Sequence, residues 1–190
     1  MKLFLSAALL ASASAFAPNT AAPKSFALNA GIVDTVGSMQ GPEIFWGSEG
    51  VLEGFDESDI KGYDNFTKLA AALADVDLSG GEYTLLAPSD SAIDKHIALG
   101  GEITADILKY HVIIGKKTID QLNEDQETLQ GGTLTSYRKF RKNWLDFAIV
   151  GLKSEGPSKS ASWPADVEAD NGIIHGIDSV LVPGAYTGSR

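Results

Sequence analysis

One short stretch near the middle of the chain limits the possible folds more than any other. It begins with an apolar run of strand length, Tyr83-Thr84-Leu85-Leu86-Ala87, which stops at Pro88 because proline has no backbone N–H to donate to a sheet. Ser89 or Asp90 can then cap a helix that begins near Ser91. A strand that passes directly into a helix predicts a layered fold, with helices packed on a sheet.

A further helix is predicted before this strand. Its apolar residues recur at helical spacing, at Phe66, Leu69, Leu73 and Val76. Asn65 is in position to cap its first turn, and Gly80-Gly81 is expected to end the segment. Thr104 to Tyr110 is predicted to be another short helix.

The remaining elements are predicted to be strands. One strand is expected at residues 111–114, directly after the short helix. More strands, separated by glycines, are expected within residues 118–135, 146–152 and 172–182. Together with the helices, these segments predict an α+β fold in which most strands pair with partners distant in the sequence.

Length, charge and cysteine content exclude several classes of protein. The 190 residues are enough for one domain with one core. Because the chain contains no cysteine, it has no disulfide, thiolate metal site or cysteine nucleophile. Its 25 acidic and 15 basic residues give a net charge of −10, which opposes the binding of nucleic acid. We therefore expect no nucleic-acid partner, and no motif in the chain predicts a cofactor.

One segment resembles the start of a calcium-binding loop. Asp75, Asp77 and Ser79-Gly80 have the spacing of such a loop, but its twelfth position is Leu86 instead of a bidentate Glu. Leu86 is also expected in a core strand. We therefore interpret the segment as a helix end with solvated acids and predict no metal site.

The first thirty residues have the features of a targeting segment. A positive start is followed by an apolar run at residues 3–10 and by small residues with an A-x-A pattern at Ala13 and Ala15, as in a secretory signal peptide. Residues 16–30 carry Ser, Thr, Ala and Pro but no acid, as transit peptides do. The predicted organisation is a signal peptide at 1–15, a transit peptide at 16–30, an N-terminal arm at 31–62, a domain at 63–184 and a tail at 185–190.

The junction between the two targeting parts is informative. The sequence Ala-Ser-Ala-Phe-Ala-Pro at residues 13–18 resembles the bipartite presequence of algae with complex plastids of red-algal ancestry, diatoms among them. In such presequences the signal peptide is cut before an aromatic residue, here Phe16. The resemblance implies a plastid location and leaves the stromal and lumenal sides open. No later stretch approaches the ~20 apolar residues that a membrane helix needs, so no transmembrane segment is expected in the mature chain.

Four segments, in order along the chain, resemble the motifs of the fasciclin family. They are the strand-and-cap segment at 83–93, the Tyr-His segment at 107–113, the glycine-containing hairpin at 129–135 and the long C-terminal segment at 171–183. The resemblance covers roughly residues 63–184. It implies a compact β-wedge of about seven strands with packed helices, which is an α+β fold. Leu86 and Ile93 stand where Phe is common in the family, and both keep apolar bulk in the core.

Most motif residues are interpreted as structural. Gly172 is expected to allow a left-handed turn after Asn171. His111 and His175 lie in apolar runs, where a neutral imidazole can bridge backbone groups. The structural positions identified by the motifs are Pro88, Tyr110, His111, Asn171, Gly172, His175 and Asp178.

The same segments also contain the residue types of a hydrolase. Ser89, Ser91, the two histidines, Asp90 and Asp178 could supply a triad, but no Gly-x-Ser-x-Gly elbow accompanies them. We therefore predict that the protein is not an enzyme and has no catalytic residues, and we keep an unrecognised enzyme as an alternative.

Residues 136–144 concentrate positive charge among aromatic side chains in an otherwise acidic protein. The segment is either an exposed hairpin with cations on its rim or a docking patch for an acidic protein or for anionic lipid headgroups. The residues assigned to this candidate surface are Arg138, Lys139, Arg141, Lys142 and Trp144.

Two other places are candidates for contact with a partner. Phe45 and Trp46 give the arm apolar bulk, so that it either wraps over its own domain or docks on a partner. In some fasciclin relatives, an Asp and an aliphatic residue just before the C-terminal motif are linked to receptor recognition. The corresponding pair here is Asp166-Val167.

Taken together, these features predict a non-catalytic, protein-binding fasciclin-domain protein. The presequence favours a peripheral plastid subunit or assembly partner of a thylakoid photosystem–antenna complex. The alternative is a secreted or cell-surface adhesion protein, for which the Asn65-Phe66-Thr67 sequon would be a glycan acceptor.

Overall fold

The computed structural model of the protein describes residues 31–41, 43–45, 61–139, 142–151 and 163–186. Its helices are α1 (Ile32–Ser38), α2 (Thr67–Leu73), α3 (Asp90–Ala98) and α4 (Ala105–Tyr110), with a 3-10 turn at Ile119–Gln121. The first strands in chain order are β1 (Glu43–Phe45), β2 (Lys61–Tyr63), β3 (Tyr83–Pro88), β4 (Val112–Ile114), β5 (Gln126–Glu127) and β6 (Thr133–Leu134). They are followed by β7 (Ser136–Lys139), β8 (Lys142–Leu145), β9 (Ala148–Val150), β10 (Val167–Ala169) and β11 (Gly172–Ile177).

A mixed sheet of seven strands forms the centre of the molecule. Its order is β4-β3-β11-β9-β8-β7, and β10 pairs with β11 beside this path. The two central strands, β3 and β11, run parallel, with Leu85 opposite Ile174 and Leu86 opposite His175. Every residue of β11 is buried, as expected for a strand that is covered on both faces. The predicted α+β fold with about seven strands is therefore confirmed.

The helices cover an apolar cluster on one side of this sheet. Helix α2 contributes Leu69 and Leu73, which are 1% and 0% exposed and pack with Leu85 of the central strand. A second cluster, which includes Leu86, Leu134 and Leu145, lies on the opposite face of the sheet, because Leu86 and Leu85 alternate along β3. Burial of the apolar surface in these two clusters is the main source of the stability of the domain.

Helix α2 is capped by a residue that the sequence pattern does not indicate. Phe66, not Asn65, occupies the cap position, and it makes no side-chain cap hydrogen bond. The Lys68 N–H instead donates to Asp90 Oδ1 at 2.8 Å, and the Thr67 hydroxyl donates to Asp90 Oδ2 at 2.6 Å. The prediction of an Asn65 cap was wrong because a carboxylate from the start of α3 satisfies these groups. The helix also ends at Leu73, well before the predicted glycine stop.

Gly172 is needed for a reason other than the predicted one. Its backbone is not left-handed, so the expected φ > 0 turn is absent at this residue. A Cβ atom on Gly172 would lie 1.9 Å from the Tyr83 carbonyl oxygen on β3 and 2.7 Å from Ile32 Cδ1. Glycine is therefore required here because two backbones approach each other closely.

The first part of the predicted arm lies on its own domain. Ile32, Val36 and Met39 belong to the apolar cluster that contains Leu69 and Leu73. Asn171 holds the start of α1, since its Oδ1 accepts from the Ile32 N–H at 2.8 Å. Of the two alternatives for the arm, wrapping back therefore applies to Ile32 through Met39.

Several strands are shorter than expected. His111 caps α4, so the strand that follows begins at Val112, and Thr118-Ile119 starts a 3-10 turn instead of a strand. Strand β9 keeps only the centre of the predicted segment 146–152, and β11 keeps only the first six residues of 172–182. In the part of the chain that the structure describes, no helix is long and apolar enough to cross a membrane.

Candidate functional site

Both ring nitrogens of His111 form hydrogen bonds inside the domain. Its Nδ1–H donates to the Ile107 carbonyl at 2.8 Å, and its Nε2 accepts from the Leu181 N–H at 2.9 Å. The ring therefore bridges the end of α4 and the C-terminal segment in its neutral form. Burial lowers the pKa of His111 to about 4, an effect that the hydrogen bond to Ile107 only partly offsets.

His175 makes a similar bridge on β11. Its Nδ1 accepts from the Asp166 N–H at 3.1 Å, and its Nε2–H donates to the Lys117 carbonyl at 2.9 Å. Burial lowers the pKa of His175 below its ordinary value, against the opposing effects of the Lys117 carbonyl and the Asp166 carboxylate. Both ring nitrogens of each histidine are thus already engaged by the backbone.

The serine and aspartate side chains that a hydrolase triad would need also form hydrogen bonds within the fold. The Ser89 hydroxyl accepts from the Ala92 N–H at 3.2 Å and so caps α3, while the Ser91 hydroxyl donates to the buried Asp64 carboxylate. Asp178 Oδ1 accepts from the Ile149 N–H at 2.9 Å. The side chains of His111, His175, Asn171 and Asp178 hydrogen-bond to backbone groups. Within the described residues no serine hydroxyl is hydrogen-bonded to a histidine ring.

The calcium-like segment forms hydrogen bonds between its own residues. Asp77 Oδ1 accepts from the Ser79 N–H at 2.9 Å and from its hydroxyl at 2.6 Å, which lowers the pKa of Asp77. Leu86, at the position where such a loop needs a ligand, is fully buried in β3. Across the described ranges, no group of three or more His, Asp or Glu side chains is arranged to hold a metal ion.

Tyr110 and Asp146 form a buried polar pair that no sequence pattern indicates. The Tyr110 hydroxyl donates to Asp146 Oδ2 at 2.8 Å, and Asp146 Oδ1 accepts from the Thr135 N–H at 2.8 Å. Burial and the neighbouring carboxylate raise the pKa of Tyr110. Asp146 has φ 51°, a left-handed conformation that Asp tolerates better than most residues. A lone Asp at the end of a strand gives no local sign of such a partner.

The predicted cationic segment forms a hairpin at one edge of the sheet. Strands β7 and β8 are antiparallel, with Tyr137 opposite Trp144, Arg138 opposite Asn143, and Lys139 opposite Lys142. Arg138 and Lys139 are exposed and Lys142 is partly exposed. We call the face of this hairpin that carries Tyr137, Lys139, Lys142 and Trp144, together with the adjacent Tyr186, the hairpin surface. Arg138 pairs with Asn143 and lies on the opposite face.

Three aromatic rings line the hairpin surface. Tyr137 and Trp144 are stacked with ring centroids 5.8 Å apart and planes 10° apart, and Tyr137 and Tyr186 are stacked at 6.0 Å and 16°. The Trp144 indole N–H donates to the Lys139 carbonyl at 3.3 Å. Tyr137 and Tyr186 were not among the predicted contact residues. The position of Tyr137 in the same segment as the cations indicates that it belongs to this surface. Tyr186 stacks on Tyr137 from the end of the domain, and no local pattern indicates this contact.

The cations extend beyond the rest of the sheet. Strand β9 pairs with β8 only from Asn143 to Leu145, so Lys142 and its neighbour Lys139 lie past the last paired position. Like charges directly opposite each other on two strands cost roughly 0.2–1 kcal/mol. Lys139 and Lys142 thus place two positive charges next to each other at this end of the hairpin.

An open pocket of about 660 Å³ adjoins the other end of the hairpin. It is lined by Asn123, Glu124, Asp125, Ser136 and Tyr137. Asp125 Oδ1 accepts from the Ser136 N–H at 3.0 Å, which fixes the loop against β7. The hairpin surface thus has cations at one end, acids at the other and aromatic rings between them.

The remaining predicted contact residues lie elsewhere. Asp166 is left-handed, with φ 54°, and its Oδ1 accepts from the Ile119 N–H at 2.9 Å, while Val167 pairs with Ile174. The Ile119 carbonyl accepts from Asn143, which lies on the face opposite Trp144, so this pair is not part of the hairpin surface.

The arm residues and one hairpin cation cannot be placed on the hairpin surface. The backbone of Phe45 lies in β1, opposite Lys61. Trp46 and Arg141 lie outside the described residues.

The α+β fold, with its mixed sheet of seven strands, is that of a fasciclin domain. The family model for the fasciclin domain matches residues 62–183, and the chain belongs to this family.

The chain is similar to proteins from distant organisms. It is 29% identical over 116 residues to the cell surface glycolipoprotein MPB83 of Mycobacterium bovis, covering 57% of this chain and 47% of that protein. It therefore spans about half the length of this curated relative. It is 33% identical over 126 residues to an uncharacterised protein of Synechocystis, covering 60% of this chain and 84% of that protein. A solved FAS1 domain pair from the insect cell adhesion molecule fasciclin I matches with a TM-score of 0.40 and 20% identity, over 60% of this chain and 44% of that structure.

Proposed function

We propose that the protein is a non-catalytic binding module that docks on a protein partner through the hairpin surface. The observation that carries this proposal is the juxtaposition of stacked aromatic rings with exposed cations in an acidic chain. Aromatic and Arg side chains are enriched at protein interfaces, where they supply most of the binding energy. The engagement of both ring nitrogens of His111 and His175 by the backbone supports a role without catalysis.

The place of action that we propose is the plastid. The signal and transit features of residues 1–30 support this location. There the protein acts as a peripheral subunit or assembly partner of a thylakoid photosystem–antenna complex, held by contacts with its proteins. Its partner supplies acidic groups for Lys139 and Lys142.

A pull-down from solubilised thylakoid membranes tests this proposal. The tagged chain from Gly31 onward should retain a defined membrane complex, and Lys139→Glu/Lys142→Glu should release it. Lys95→Glu/Lys109→Glu makes the same change of charge on exposed helix positions and should have no effect. Equal retention by both double variants, or absence of the protein from purified thylakoid complexes by mass spectrometry, would count against the proposal.

A second candidate is a secreted or cell-surface adhesion protein. The similarity to a mycobacterial cell surface glycolipoprotein favours it. In that case the signal peptide acts alone, and Asn65 in its sequon carries a glycan. Imaging a fluorescent fusion of residues 1–35 in an algal cell separates the two candidates, because only the plastid protein would co-localise with chlorophyll.

A further inference from the structure

The hairpin surface is a narrow strip with acidic side chains at one end and lysines at the other. Glu124 and Asp125, both exposed, lie at the pocket beside Ser136, and Lys139 with Lys142 lies at the opposite end. Ser136 and Lys139 are three residue steps apart on β7, which is roughly 10 Å at the ~3.4 Å rise of an antiparallel strand. Tyr137 lies between the two ends and lines the pocket as well.

The edge of β7 is poorly suited to the addition of a partner strand. The Ser136 N–H points away from β8 and is already bonded to Asp125. Because outward-facing residues alternate along an antiparallel strand, Arg138 is the remaining outward position in this strand of four residues. Strand addition depends on a row of main-chain hydrogen bonds. A partner must therefore be recognised mainly by its side chains.

A membrane plane is also a poor match for this strip. Each Lys or Arg near an anionic surface contributes ~1 kcal/mol, but the same plane would meet Glu124 and Asp125 beside Tyr137. The net charge of −10 on the whole chain adds repulsion. A narrow protein segment can place opposite charges at both ends of the strip, and it makes little contact with the rest of the acidic domain.

We propose that the hairpin surface recognises an extended protein segment of mixed charge, with acidic side chains for Lys139 and Lys142 and a basic side chain about 10 Å away for Glu124. This inference rests on the proposed binding function and specifies its partner. Complementary charges at both ends set the register of the segment, and Tyr137 contacts its middle.

Fluorescence anisotropy with labelled peptides tests the pattern, using the full-length chain at low salt. One peptide carries a Lys pair and a Glu pair separated by two neutral residues. A second has the same composition with Lys and Glu alternating, and a third is all acidic. We expect the separated peptide to bind about tenfold more tightly than either of the others, and to weaken as added salt screens the charges.

Charge variants supply the decisive comparison. Glu124→Lys should weaken the separated peptide and strengthen the all-acidic one, so that the preference reverses. Lys139→Glu/Lys142→Glu should abolish binding of both, whereas Lys95→Glu/Lys109→Glu should change neither. Asp125 is left in place because it bonds the Ser136 N–H.

Three results would overturn the inference. One is equal or tighter binding of the all-acidic peptide to the unaltered chain, which indicates a purely acidic partner. Another is binding to vesicles that contain phosphatidylglycerol, with no peptide bound, which indicates a membrane surface. The third is no binding to any probe. If the thylakoid pull-down still succeeds in that case, the proposed function stands and only the charge pattern of its partner is wrong.

Discussion

The Tyr110 hydroxyl and the Asp146 carboxylate form a 2.8 Å hydrogen bond inside the domain, joining helix α4 to the turn between β8 and β9. Both residues are at least 95% buried, at 4% and 2% exposure. Asp146 also accepts the Thr135 N–H, so a single side chain joins the helix, the turn and the residue between β6 and β7. Loss of either partner leaves a buried polar group unsatisfied.

Substitutions at this pair should separate the contributions of the hydrogen bonds and the backbone. Tyr110→Phe removes one donor and should lower the free energy of unfolding by about 1–3 kcal/mol. Asp146→Ala should cost more, because it removes both acceptors and places a Cβ-bearing residue without a polar side chain at φ 51°. Asp146→Asn, which tolerates this φ and keeps one acceptor, is the matched control. Urea denaturation measures all three, and an unchanged midpoint for Asp146→Ala would contradict the assignment.

The stability of the domain should fall as the pH is lowered through the range in which His111 resists protonation. The folded-state pKa is about 4, while a histidine in the unfolded chain titrates near ~6.5. Between these values the unfolded state binds the proton and the folded state does not, so stability rises with pH. The full effect is about 3 kcal/mol, lost on going from above pH ~6.5 to pH ~4. The lowered pKa of His175 acts in the same direction.

A non-titrating side chain tests the origin of this pH dependence. His111→Gln should be less stable than the original protein at neutral pH, yet its unfolding free energy should change less between pH ~7 and ~5. Urea unfolding at both pH values gives the comparison. A slope as steep as that of the unaltered protein would assign the effect to carboxylates instead.

Gly172→Ala should be among the most destabilising single changes in the domain. The new Cβ would lie 1.9 Å from the Tyr83 carbonyl oxygen, which belongs to the paired backbone of β3 and cannot move aside alone. We expect a loss of roughly 3 kcal/mol or more, in the range of severe overpacking. Gly80→Ala, whose nearest neighbour would be the Tyr83 hydroxyl at 3.7 Å, should be tolerated. Similar thermal midpoints for the two variants would refute the close-approach explanation.

Asn171→Asp should loosen helix α1 selectively. The side-chain amide donates to the Leu78 carbonyl at 2.9 Å, and the carboxylate of Asp would place an acceptor against that carbonyl. The Ile32 N–H keeps its acceptor. Hydrogen exchange should therefore become faster at Val36 of α1, while amides in the centre of β11 change little. Uniform acceleration across both elements would mean that α1 unfolds only with the whole domain.

Much of the fold could be predicted because its motifs are local. The strand that ends at Pro88, the helix cap at Ser89 and the apolar run of β11 depend on neighbouring residues, so the sequence pattern contains them. The cap of α2 depends on Asp90, and the need for glycine at position 172 depends on Tyr83. Such contacts join segments far apart in the chain, and no local pattern reports them.

The candidate site was predictable in part for the same reason. The cations and Trp144 lie in one contiguous segment, and their grouping follows from a short hairpin. The stacking of Tyr186 on Tyr137 and the acidic pocket beside it bring together three separate parts of the chain. The Asp166-Val167 pair was predicted to contact a partner, but Asp166 bonds within the fold. Its carboxylate accepts from the Ile119 N–H, and its own N–H donates to His175.

The parallel pairing of β3 with β11 governs when this chain can begin to fold. The two strands that form the middle of the sheet come from opposite ends of the domain, so their contact closes a very long loop. During synthesis, β3 emerges from the ribosome long before its partner exists and stays unpaired on that side. The parallel pair at the heart of the sheet can therefore close only after residues 172–177 have left the ribosome.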